Sequence, residues 1–201
     1  MFGALRATRI GAGAAHRASL RPMAKFLRHY STTNSYFSLF PKSFPQGGPP
    51  KDPFKVDKST LKREYLELQN KAHPDRGSTA EESEKLSNLS SQLSVAYKAL
   101  LDPLRRAENI LLSRGIDALA EKDSLTEEDL LMDVLMAREA IAEAESEEEL
   151  SSIKQENNIR ILESENILEE AFNKDDLETA RSEVVKLSYW MSIKKQLDEA
   201  A

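Results

Sequence analysis

The sequence predicts an all-α protein in which a helical hairpin precedes a three-helix unit. Two observations carry this. Beyond residue 53 the chain has only two prolines, Pro74 and Pro103, and two glycines, Gly77 and Gly115, and residues 116–201 contain neither. Strands joined by tight turns need such punctuation, and period-2 alternation is also missing. Apolar residues recur instead at helical spacing through most of the body.

The N-terminal segment differs from the rest in charge. Residues 1–50 hold seven Lys+Arg and no Asp or Glu, leaving 21 bases against 34 acids in residues 51–201. Arg6, Arg9, Arg17, Arg21, Lys25 and Arg28 alternate with Ala, Leu, Ile and Phe, and Ser/Thr residues follow. An acid-free, Arg-rich stretch of this kind has the composition of a mitochondrial transit peptide, assigned to residues 1–30. Arg28-His29-Tyr30-Ser31 is similar to a matrix processing site; cleavage at Ser31 would leave 22 bases and 34 acids.

The first long helix opens after Asp57 as N-cap, with Leu61, Tyr65, Leu68 and Ala72 along one side. Lys71-Ala72-His73-Pro74-Asp75-Arg76-Gly77 then forms a loop, because a residue before proline is pushed out of the helical region. The turn alone also admits Asp75 as the cap of the next helix. Leu86, Leu89, Leu93, Ala96 and Leu100 mark that helix, stopped at Pro103. A shorter helix runs from Leu104 to Ser113 and ends at Gly115 with Arg114 in its last turn. A linker is expected over 115–125. The fourth helix starts at Thr126, with Glu127, Glu128 and Asp129 complementing its dipole, and reaches about Glu145. Ser146 and Glu149 form a capping-box signature for the fifth, to about Phe172. Asp175 and Glu178 mark the start of the sixth, to about Leu197.

These elements carry a set of motifs. Tyr36-Phe37-x-Leu39-Phe40 stands near the start, followed by Phe54-x-Val56-Asp57-x-x-x-Leu61 and Tyr65-Leu66-x-Leu68-Gln69. His73-Pro74-Asp75 comes next, then Ala96-Tyr97-x-x-Leu100-x-Asp102-Pro103-Leu104-x-Arg106-Ala107 and Leu111-Leu112-x-x-Gly115. Leu130-Leu131-Met132, Arg138-Glu139 and Lys186-Leu187-x-Tyr189 complete the set. Over residues 35–198 the chain resembles the HscB/Jac-type J-proteins of iron–sulfur cluster biogenesis. The resemblance implies an all-α fold with an N-terminal J-domain, an antiparallel helical hairpin with a His-Pro-Asp loop, over 31–114. A C-terminal three-helix scaffold-binding bundle would follow over 126–201.

In that family the His-Pro-Asp loop docks on a DnaK-type, 70-kDa-class chaperone and accelerates the chaperone's ATP hydrolysis. The resemblance assigns this contact to His73, Pro74 and Asp75. The residue types suit it: a carboxylate pairs bidentately with arginine, and proline fixes loop geometry at little entropic cost. Lys62, Arg63 and Lys71 are expected to form a basic face that steers onto an acidic partner, or else a plain solvated face.

In the fourth helix Leu130, Val134, Ala137 and Ile141 make one apolar stripe, and Leu131 and Leu135, with Met132 and Met136 beside them, make a second. A helix packed on one side needs one stripe, so the second is either a binding patch or a second core flank. The resemblance places binding of the iron–sulfur cluster scaffold protein at Leu131, Met132, Leu135, Arg138, Glu139 and Tyr189. Met136 departs from the family, where an acid is common. Trp190 is expected in the core.

Other chemistries are excluded by composition. With no cysteine, the chain has no disulfide, no thiolate nucleophile and no Cys-ligated cluster or zinc, unlike family members that carry an N-terminal zinc module. After cleavage His73 would be the sole histidine, too few for a His-based zinc site. No phosphate-cradling Gly-rich loop occurs, so ATP hydrolysis belongs to the partner and the chain is read as a co-chaperone, not an enzyme. The acidic runs Glu143–Glu149 and Glu163–Glu170 lie along solvated helical faces rather than converging as an acid/base pair. No cofactor, nucleic-acid partner or stable membrane insertion is expected, and the location implied is the mitochondrial matrix. A mitochondrial J-protein serving another client, in import or general folding, is the alternative reading.

Overall fold

The computed structural model describes residues 35–120 and 128–200. The transit-peptide segment 1–30, its cleavage site, linker residues 121–125, and Thr126 and Glu127 lie outside the described residues. Among the described residues there are six α-helices, two 3-10 turns and no strand. The helices are α1 (Lys58–Lys71), α2 (Ala80–Leu101), α3 (Pro103–Ser113), α4 (Glu128–Glu143), α5 (Glu147–Asn173) and α6 (Leu177–Ala200).

The residues before α1 are irregular yet buried. Phe37, Leu39, Phe40 and Phe44 enter the core, with Phe37 and Phe44 edge to face at 4.8 Å. Because this segment forms no ladder, its backbone N–H groups need other acceptors. Buried Glu64 of α1 accepts from the N–H groups of Lys42 (2.8 Å) and Ser43 (2.7 Å) and from the Ser43 hydroxyl. Asn109 Oδ1 of α3 accepts from Tyr36 N–H at 3.0 Å. Asp52 accepts from Gln46 and Gly48 N–H, and a Cβ at Gly48 would lie 2.6 Å from the Phe37 ring.

Each helix start has a side-chain acceptor or a proline where one is visible. Asp57 accepts from Ser59 and Thr60 N–H and from their hydroxyls, which holds its carboxyl well below the usual range. Asp102 ends α2 and caps α3, with Pro103 at the first helical position. Ser146 caps α5 through Glu149 N–H. The sixth helix is capped by Asp176, one residue after the expected Asp175: Thr179 donates from N–H and hydroxyl to Asp176. Asp175 instead takes a left-handed conformation, φ 54°, in the turn that ends α5. There Asp176 N–H reaches Ala171 O and Asp175 N–H reaches Phe172 O. The same pair of bonds ends α3, around Gly115 at φ 79°, where Ile116 N–H reaches Leu111 O.

Helix α6 is central in the second half, packing against α3, α4 and α5. Val184, Val185, Leu187, Trp190, Ile193 and Leu197 bury around much of its circumference. Trp190 is in the core as expected, its backbone carbonyl accepting from buried Asn157 of α5 at 3.0 Å and its ring overlain by Arg160 at 4.9 Å.

Besides the packing of α3 on α6, a buried cation links the N-terminal half to the C-terminal helices. The Arg106 side chain is 2% exposed and lies 4.4 Å over the Phe54 ring. It donates to Leu100 O at 2.8 Å and to Glu165 Oε1 of α5 at 2.9 Å. Burial pulls its guanidinium below the usual arginine range, opposed by the attraction of Glu165. Phe54 meets Phe172 at 5.2 Å, and Lys55 N–H donates to Glu169 at 2.6 Å. At the periphery Arg114 pairs with Asp175 at 3.0 Å, so the turns ending α3 and α5 are tied together.

A buried pair is far costlier to break than an exposed one. Glu165 is 21% exposed and keeps some hydration when its partner is lost. Arg106→Met should therefore cost about 3 kcal/mol in urea unfolding, whereas Arg114→Ala should cost less than about 1 kcal/mol.

Candidate functional site

The first candidate region is the loop between α1 and α2. The hairpin beneath it is closed by an aromatic pair and a polar cluster. Tyr65 and Tyr97 stack with centroids 4.1 Å apart and planes 7° from parallel. Gln69 donates to Ser90 O at 2.9 Å and to Ser94 Oγ at 2.8 Å, and accepts from the Ser90 hydroxyl at 2.6 Å. These pairs, 65 with 94 and 97, 69 with 90, are the antiparallel register that brings the ends of α1 and α2 to the loop.

Within the loop, Pro74 opens a single 3-10 turn, Pro74–Arg76. His73 accepts from Asp75 N–H through Nδ1 at 3.3 Å. Asp75 Oδ2 lies 3.5 Å from the same nitrogen. Both side chains are largely solvent-exposed. Asp75 does not cap α2; Thr79 does, accepting from Glu82 N–H at 3.2 Å. The loop backbone is pinned from below: Pro74 O accepts from Gly77 N–H and from the Ser83 hydroxyl, and Arg76 donates to Asn70 Oδ1. Gly77 sits so close to α2 that a Cβ there would be 2.5 Å from Ser83 N.

Lys62, Arg63 and Lys71 are all exposed but do not share one face. Nine residues separate Lys62 from Lys71, about two and a half turns, which places them on opposite flanks of α1. Arg63 and Lys71 instead bracket Glu67, whose carboxyl is held low by its hydrogen bond to Lys42 and by the nearby positive charges. Lys62 lies beside exposed Leu66 on the other side.

The second candidate region is the outer side of α4. Leu130, Val134, Ala137 and Ile141 are buried. Leu131, Met132, Leu135 and Met136 are 48, 59, 51 and 61% exposed, so they are not a second core flank. At about 3.6 residues per turn they occupy the side of α4 facing away from its core. Arg138 and Glu139, also exposed, continue the stripe by one turn, and Tyr189 lies half-buried on the adjoining α6. Four large apolar side chains on one solvent-facing helix surface are unusual for a helix with no partner to cover them. Among the described residues, no group of three or more His, Cys, Asp or Glu is placed to hold a metal, and no helix is long and apolar enough to cross a membrane.

Comparison with known proteins bears on both regions. Residues 126–198 match the family described as the HSCB C-terminal oligomerisation domain. The chain is 32% identical to the mitochondrial J-type co-chaperone JAC1 of Saccharomyces cerevisiae, over 89% of this chain and 95% of that protein. It is 34% identical to the mitochondrial J-type co-chaperone jac1 of Schizosaccharomyces pombe, over 85% and 77%. With the human iron–sulfur cluster co-chaperone protein HscB it shares 29% identity over 88% and 72%. The S. cerevisiae Jac1 structure superposes with a TM-score of 0.68 at 30% identity, covering 84% of this chain and 94% of that one. The crystal structure of human HscB gives 0.71 at 28%, covering 82% and 80%.

The tight seat of Gly77 gives a direct check on the loop. Gly77→Ala should displace the turn from α2, costing about 1–3 kcal/mol. The largest amide chemical-shift changes should fall in residues 73–77 and around Ser83.

Proposed function

The chain belongs to the Jac1/HscB family of J-type co-chaperones, and we propose that it carries an iron–sulfur cluster scaffold protein to a mitochondrial DnaK-type chaperone and triggers that chaperone's ATPase. The relatives are co-chaperones rather than enzymes, and the two yeast proteins are mitochondrial by name. The matrix is the compartment proposed here, in keeping with the acid-free N-terminal segment.

The reading rests above all on the exposed Leu131/Met132/Leu135/Met136 surface. A J-protein without a dedicated client on this bundle has no need to leave four large apolar side chains on the outside of α4. In the proposed complex these side chains and Tyr189 supply apolar anchors, and Arg138 and Glu139 form a charged rim. The division of labour proposed is a J-domain over 31–114 and a scaffold-binding bundle over 126–201.

At the loop, the largely exposed Asp75 carboxylate can pair with an arginine on the chaperone, and the exposed His73 ring can offer a hydrogen bond. Arg63, Lys71 and Lys42 on one flank of α1, and Lys62 on the other, contribute positive charge that speeds encounter with an acidic chaperone surface. Joining two modest interfaces on one adaptor raises the effective concentration of scaffold at the chaperone without any new contact.

Two measurements test the halves separately. His73→Gln should reduce single-turnover stimulation of the mitochondrial chaperone by at least about tenfold, the size expected for losing a central interface contact; wild-type stimulation would remove the loop from the mechanism. Leu131→Ala/Leu135→Ala/Tyr189→Ala should weaken scaffold capture by at least about 100-fold while circular dichroism stays unchanged. Undiminished capture would point to a client held elsewhere.

A further inference from the structure

Met132 and Met136 are the two most exposed large apolar side chains among the described residues. They stand four residues apart, one above the other on the surface of α4, beside Leu131 and Leu135. The whole chain has no cysteine, so thioethers are its only sulfur. Met191, the remaining described methionine, is half-buried on α6, outside the stripe.

Given the reading of this stripe as the scaffold contact, we propose that Met132 and Met136 form a reversible oxidation switch that releases the scaffold while leaving the chaperone-activating loop working. The oxidant is neutral hydrogen peroxide. A thioether lone pair attacks one peroxide oxygen; the S–O bond forms as the O–O bond breaks. The proton on the transferred oxygen passes to the departing hydroxide, giving water. Sulfur is oxidised by two electrons to the sulfoxide and peroxide is reduced by two. The surroundings select for a neutral reagent, since Asp129, Asp133, Glu139 and Glu143 are exposed on the same helix against a single base, Arg138. Their field disfavours anionic oxidants such as hypochlorite.

Sulfoxidation turns a flexible apolar side chain into a polar one, and burying that oxygen in an apolar contact without a donor is costly. Both methionines point away from the α4 core, whose members Leu130, Val134, Ala137 and Ile141 contain no sulfur. The change therefore falls on the binding surface and spares the fold. His73, Pro74 and Asp75 contain no group that peroxide oxidises comparably. Methionine sulfoxide reductases reverse the modification.

The test uses the full chain, treated with hydrogen peroxide, quenched with catalase and mapped by peptide mass. For each protein the readouts are the ratio of scaffold affinity before and after treatment, and scaffold-free stimulation of the chaperone ATPase. Wild type should lose scaffold affinity by at least tenfold, with stimulation and helicity kept, and reductase should restore binding. In Met132→Leu/Met136→Leu the treated-to-untreated ratio should stay within twofold of one, whatever its starting affinity. The switch is overturned if wild type carrying both sulfoxides binds within twofold of untreated protein, or if the double leucine variant is equally sensitive. It is also overturned if the two residues resist peroxide that oxidises free methionine. Failure of untreated wild type to bind scaffold would instead overturn the assignment of the stripe, and the switch with it.

Discussion

A guanidinium with almost no access to water depends on the protein around it, and Arg106 is held from both halves of the chain through its two terminal nitrogens, its buried Nε having no hydrogen-bond partner. Its hydrogen bonds run back to Leu100 at the end of α2 and across to Glu165 on α5, with Phe54 covering its face. Glu165 lies 59 residues away in sequence. Neither half can satisfy this cation alone, so the docking of the hairpin on the C-terminal helices is a condition of burying it. A buried ion pair contributes little net stability over an apolar contact, but its directional bonds admit few alternative arrangements. If the chain joins two partners as proposed, a fixed geometry between its halves matters more than a few kcal/mol.

The same economy governs the loop. Exposed His73 and Asp75 are held in place by groups that never reach the surface contact: Ser83 on Pro74 O, the close seat of Gly77, and the Gln69/Ser90/Ser94 cluster below. In the proposed chaperone contact, ordering the loop in advance lowers the entropy lost on binding. On α4 the logic is reversed. The bundle buries one side of the helix and leaves the opposite side apolar and exposed, so in the proposed complex the hydrophobic contribution of that surface is realised on binding.

Much of this was legible in the sequence because local rules act within a turn or two. Asp57, Pro103 and Ser146 were readable as boundary markers, and the buried stripe Leu130/Val134/Ala137/Ile141 follows directly from helical spacing. The outward direction of Leu131 and Leu135 was only half legible, since periodicity shows two stripes without saying how many neighbours a helix will have. Asp175 and Asp176 were ambiguous because either can cap, and the choice depends on which one absorbs the left-handed turn. The roles of Phe54, Glu64, Arg106 and Glu165 were not legible. Glu64 and Arg106 look like ordinary surface charges in composition, and their partners come from distant segments. The Asp102-Pro103-Leu104-x-Arg106-Ala107 run was visible as a motif, but its physical meaning, a helix cap followed one turn later by a buried cation, needed the packing.

The burial of Trp190 has a practical corollary. It is the chain's lone tryptophan, set in the core of the C-terminal helices between Asn157 and Arg160, while the hairpin carries only tyrosines. Excitation at the red edge of indole absorption therefore addresses one half of the molecule, and its emission wavelength is an optical gauge of whether that half is intact. Unfolding of the hairpin ahead of the bundle would register as loss of helicity with the indole signal unmoved.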